Sequence, residues 1–133
     1  MSRILTAEEF LTLVLAKLKL KAAKVLLRVD LIDQKFEDAY DRLSSREAEF
    51  DITSNFTFRR DPMYGNTAKF RDAWLAVRER GLVQPDPSKH AYGITLSEDL
   101  AQAYINRGVL AEGFLDELVD QTFRAEIAAT ASS

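Results

Sequence analysis

The stretch from Asn66 to Leu100 constrains this chain most, because its hydrophobic pattern changes period twice within a few turns of chain. Phe70, Ala73, Trp74 and Val77 recur at steps of three and four, which places them on one face of a helix. Asn66 suits the N-cap, and Gly81 suits the left-handed position that ends a helix, so the spacing predicts a helix over 67–80. Leu82-Val83-Gln84 and Tyr92 to Leu96 then read as strands. Between them Pro85-Asp86-Pro87-Ser88-Lys89-His90 continues neither strand, since proline has no ladder donor, and a hairpin with a six-residue tip follows. Ser97 caps the next helix, whose Glu98 and Asp99 complement its dipole.

The amino-terminal third carries the longest periodic signal. Thr6 followed by Glu9 is a capping-box pattern that starts a helix. From there Leu11, Leu15, Leu18, Ala22, Val25, Val29, Ile32 and Phe36 recur at alternating steps of four and three along one seam. Leu13, Leu20, Leu26 and Leu27 lie off that seam, so the helix is apolar over much of its circumference. Two readings stand: a central core helix, or a helix that pairs two subunits. Lys17, Lys21, Lys24 and Arg28 stack along its polar side, either as a stripe for phosphates or as a solvated face whose stems cover apolar surface. Asp30 and Asp33 mark a break, with Asp33 capping a second helix that turns Phe36, Tyr40 and Leu43 inward and ends at Ser44-Ser45.

Phe50, Ile52, Phe56 and Phe58 alternate with polar residues as in a half-buried strand, while Thr53 or Ser54 could instead cap a short helix over 54–60 before the breaker Asp61-Pro62-Met63-Tyr64-Gly65. The short helix is preferred because a helix before residue 66 completes the fold proposed below. A last helix is expected from about Val109 to Ile127, and Ala128 to Ser133 reads as a loose tail.

With 133 residues and 47% hydrophobic composition, the chain supports one compact domain over 1–127, with a core at 50–107 flanked by helices at 7–43 and 109–127. The absence of cysteine excludes disulfides and thiolate metal sites and favours a cytoplasmic protein. No signal peptide is apparent, and Lys17 and Lys19 interrupt the apolar run at Leu11 to Leu20 well short of a membrane span. Net charge is −3, unlike the strongly basic proteins that bind nucleic acid without regard to sequence. Its distribution is uneven: residues 56 to 93 carry +3, whereas 94 to 133 carry −5.

Trp74-Leu75-Ala76-Val77-Arg78-Glu79-Arg80-Gly81-Leu82-Val83 resembles the recognition helix and first wing strand of the winged helix-turn-helix superfamily, and most of all regulators of the MarR type. Pro85-Asp86-Pro87 resembles the wing tip, and Ile94-Thr95-Leu96-Ser97-Glu98 the returning strand and the next helix. The resemblance implies a mainly α fold with a small β-hairpin wing, a winged helix-turn-helix flanked by N- and C-terminal helices. It also implies a homodimer in which those helices pair, here through Leu11, Leu15, Leu18, Phe114 and Leu118, and a transcriptional regulator that binds duplex DNA. This sequence departs from the pattern at Ser88, Lys89 and His90, where an Asp-Arg pair usually follows, and at Leu100, where a glycine is usual.

On that reading Asn66, Thr67, Lys69 and Arg71, in the first turns of the helix, reach base edges or phosphates, and Arg59, Arg60, Lys89 and His90 contact the backbone. Asp72 and Glu79 oppose tight binding. An alternative expectation is a winged-helix module or adaptor that contacts a protein partner without DNA. Enzyme chemistry is not expected: the only histidine, His90, lies on a turn without a serine or cysteine motif, no Gly-rich phosphate loop occurs, and neither a metal nor a cofactor is implied.

Overall fold

The structure, a computed structural model, describes residues 3–21, 26–28, 31–46, 49, 52–54, 68–108, 110 and 112–131. It is mainly helical, with a small three-stranded antiparallel sheet.

Helix α1 spans Ala7–Lys21 and starts where the capping pattern places it, the Glu9 amide donating to Thr6 Oγ1 at 3.1 Å. Every residue from Phe10 to Leu18 is buried, so α1 is a central helix surrounded by others. The seam does not continue as one helix. Leu26–Arg28 forms strand β2, where Leu27 is buried and Arg28 exposed. Long-range strand pairing overrides the helical period here, as tertiary context commonly overrides local preference. Ala22, Val25 and Val29 lie outside the described residues.

Helix α2, Ile32–Ser44, buries Phe36, Tyr40 and Leu43 as expected. Its N-cap is Leu31 rather than Asp33. The Lys35 amide donates to the Leu31 carbonyl, which pulls Asp33 into the first turn, where its charge complements the dipole.

Two short strands, β1 (Arg3–Leu5) and β3 (Ile52–Ser54), pair in parallel. They bury Leu5 and Ile52 in the core. Residues 52–54 therefore take the strand reading; the rest of the proposed short helix, at 55–60, lies outside the described residues.

Helix α3, Ala68–Glu79, buries Phe70, Ala73, Trp74 and Val77 on the expected face. Gly81 adopts φ +79°, its amide donates to the Arg78 carbonyl at 3.0 Å, and the Leu82 amide donates to the Val77 carbonyl at 3.1 Å. This pair of bonds is the Schellman closure, which needs a left-handed residue. Strand β4 (Val83–Asp86) then pairs with β5 (Ala91–Ile94) through a tip of Pro87, Ser88, Lys89 and His90. The tip is shorter than expected because Pro85 lies within β4, opposite Tyr92. That is allowed because β4 is the outer strand of the order β2-β5-β4, where a missing donor breaks no inner ladder. His90 takes a left-handed conformation, φ 52°, to close the turn.

Ser97 caps α4 (Glu98–Arg107), its Oγ accepting from the Leu100 amide at 3.2 Å. The expected single last helix is two, α5 (Glu112–Thr122) and α6 (Arg124–Ala131). Phe123 between them is fully buried against Phe36, and Lys35 Nζ donates to the Thr122 carbonyl at 3.1 Å, holding that carbonyl from outside the helix. Residues 128–131, expected as tail, extend α6. The buried residues form one contiguous core, in which α1 packs against α3, α4 and α5. No helix among the described residues is long and apolar enough to cross a membrane.

Of the basic stripe, only Lys17 and Lys21 lie on α1, and both pair with acids of α5; Arg28 is exposed on β2, and Lys24 lies outside the described residues. Lys17 lies 3.4 Å from Asp116, and Lys21 bonds Asp116 and lies 3.0 Å from Asp120, so these ion pairs tie α5 to α1. The hydrogen bond from Lys21 chiefly holds the Asp116 carboxyl below its ordinary value, against a smaller opposing effect of burial. Burial works against the Lys21 charge, but hydrogen bonds to Asp116 and Asp120 outweigh it and raise that pKa. A depressed acid stabilises the fold above its unfolded-state value and loses that contribution as the pH falls through its folded-state value. Asp116→Asn should therefore flatten the acid limb of the stability curve between about pH 5 and pH 2, measured by urea unfolding at stepped pH. An acid limb as steep as that of the wild type would contradict the assignment.

Candidate nucleic-acid interface

The outward face of α3 is open. Arg71, Asp72, Leu75, Arg78 and Glu79 are all exposed, with Leu75 at 46%. The helix is held in this orientation from behind by its buried face and at its end by Arg80. The Arg80 guanidinium donates to Glu8 Oε1 at 2.8 Å, to Thr12 Oγ1 at 3.3 Å and to the Tyr104 hydroxyl at 2.7 Å. Burial alone would lower its pKa, but the bonds to Glu8 and Tyr104 raise it. Arg80 is thus tied to α1 and α4 rather than to any ligand of the outward face.

The hairpin is fixed to the same helix through aromatic contacts. Tyr92 of β5 meets Trp74 edge-to-face at 5.1 Å, and the Arg78 guanidinium lies 5.3 Å from the Tyr92 ring. Offset and edge-on ring pairs add to plain burial, and a cation over a ring adds more. The tip, carrying Ser88, Lys89 and His90, is exposed, and Ser88 Oγ donates to Asp86 Oδ1 at 2.7 Å.

Of the residues expected to contact DNA, Arg71, Lys89 and His90 are exposed on this helix and hairpin. Lys69 lies in the first turn of α3. Arg59, Arg60, Asn66 and Thr67 lie outside the described residues. Sequence reading missed Arg78. Its position on the helical wheel left it at the edge of the outward face, and only the placement of Tyr92 brings it above the sheet. Charge on the described surface is balanced, with Arg71, Arg78 and Lys89 beside Asp72, Glu79 and Asp86.

The residues expected at a dimer seam require correction. Leu11, Leu15 and Leu18 are fully buried, and Phe114 and Leu118 nearly so, all within a single subunit. They face the core that α1 and α5 share, so they present no surface to a second copy. Of the two readings left open for α1, the structure takes the central core helix.

Compared with family models, curated proteins and solved structures, the chain matches none of them.

Proposed function

We propose that this chain is a winged-helix protein that binds double-stranded DNA and acts as a transcriptional regulator, with α3 in the major groove and the β4–β5 hairpin along the backbone. The observation that carries the reading is that α3 buries one face completely while its other face and the adjacent hairpin tip stay exposed together. A groove-reading helix needs an open side and a rigid back, and phosphate contacts beside it fix its register. Lys69, Arg71 and Arg78 on the helix and Lys89 on the tip supply cations for those contacts. The Arg80 clamp supports the reading by holding the end of α3 against α1 and α4, and the Trp74–Tyr92 contact by joining helix and hairpin.

A second reading has its own support. Leu75 is exposed at the middle of the outward face, between Asp72 and Glu79 on the same side of the helix. An apolar side chain flanked by acids suits a protein partner better than a phosphate backbone. Anisotropy of a random duplex at two salt concentrations separates the two. Salt-sensitive binding is expected, with Lys69→Ala plus Arg71→Ala lowering the slope of log affinity against log salt by about 1 to 2. No binding at low salt would overturn the DNA reading in favour of the interaction module.

A further inference from the structure

A separate cleft of about 410 Å³ opens on the side of the molecule where the start of α1 meets the ends of α3 and α4. Its volume lies within the range of small-molecule sites. One wall is the start of α1, with Thr6 just before it and Glu9 and Leu13 in its first two turns; the other carries Tyr104 and Arg107 of α4. At the junction, Glu8, Thr12 and Tyr104 are already spent on Arg80.

Two charges of opposite sign are left. Among the described residues the Glu9 carboxylate has no ion-pair or hydrogen-bond partner, while its backbone amide donates to Thr6 Oγ1. Arg107 makes one long bond, from Nε to the Ala103 carbonyl at 3.4 Å, and lies 5.7 Å from the Tyr104 ring. Its terminal nitrogens keep their donors for another acceptor. Leu13 and the Tyr104 ring give the same cleft an apolar contact. An anion alone would meet the unpaired Glu9, and a cation alone would meet Arg107.

We infer that this cleft binds a small amphoteric molecule of the free α-amino-acid class, its carboxylate held by Arg107, its ammonium group by Glu9, and its side chain laid against Leu13 and Tyr104. The inference does not depend on the outward face of α3 and stands apart from the DNA reading.

The twenty free amino acids, titrated singly against the full chain by calorimetry or ligand-observed NMR, test it. Saturable binding of at least one, with a Kd of about 1 mM or tighter, is expected. For that amino acid, the analogue lacking the carboxylate and the analogue lacking the ammonium group should each bind at least about tenfold more weakly. Arg107→Ala should remove the preference for the carboxylate, and Glu9→Gln the preference for the ammonium group. The analogue comparison uses the unaltered protein, so it decides the matter even if a variant folds poorly. Absence of saturable binding by all twenty, or equal affinity for a singly charged analogue, would overturn the inference.

Discussion

Phe36→Ala should lower the unfolding free energy by about 3 to 5 kcal/mol, the range expected for an aromatic ring removed from a packed core. Phe36 is fully buried on α2, with ring centroids of Phe70 at 5.5 Å, Trp74 at 5.8 Å and Phe123 at 5.7 Å. One side chain thus joins α2, the buried face of α3 and the junction of α5 with α6. Its removal loses the transfer free energy of the ring and leaves a cavity whose walls belong to three different elements. Such walls relax poorly, because each element is held by its own other contacts. Ring pairs of this kind add about 0.5 to 1.5 kcal/mol beyond area burial, which places the estimate toward the upper end. Urea unfolding with an unchanged m-value measures it directly. A loss below about 1.5 kcal/mol would mean that the ring is not central to the core.

Leu15→Ala should cost about 2 to 5 kcal/mol, and the loss should not depend on protein concentration. Leu15 is fully buried in the middle of α1, within the contiguous core that α3, α4 and α5 complete. A leucine at a subunit seam behaves differently: its truncation weakens association, so the apparent stability of the variant rises with concentration through mass action. The melting midpoint of Leu15→Ala measured across a hundredfold range of concentration separates the two cases. A midpoint that rises with concentration, in step with a monomer–dimer equilibrium, would return Leu15 to an interface and contradict its place in the core of one subunit.

Elements defined by local chemistry were legible in the sequence. The Thr6 and Ser97 caps, the buried face of α3, the left-handed Gly81 and the hairpin after it all follow from side-chain type and spacing. Features decided by distant partners were not. Leu26–Arg28 carries a helical period but pairs with Leu26 opposite Gly93 and Arg28 opposite Ala91, more than sixty residues away in the chain. Nothing near β1 announced Leu5 as a core residue, because its partner strand β3 is far along the chain. Lys17 and Lys21 read as free surface charges in isolation; their pairing with Asp116 and Asp120 of α5 depends on how the two helices meet. The seam of Leu11, Leu15 and Leu18 shows the same limit from the other side, since periodicity identifies a buried face without saying whether the burial comes from the same chain or another. Within the candidate interface, Arg71, Lys89 and His90 were readable as exposed positions, whereas Arg78 depended on Tyr92 and the Arg80 clamp on Glu8 and Tyr104.

The proposed interface is tested most directly by titrating the isotopically labelled chain with a short random duplex at low salt and mapping the backbone amide shifts. Shifts should concentrate in α3 and in residues 84–92, with α1 and α5 unaffected. A map with no changes in α3 or the hairpin, or with changes confined to other helices, would contradict the account.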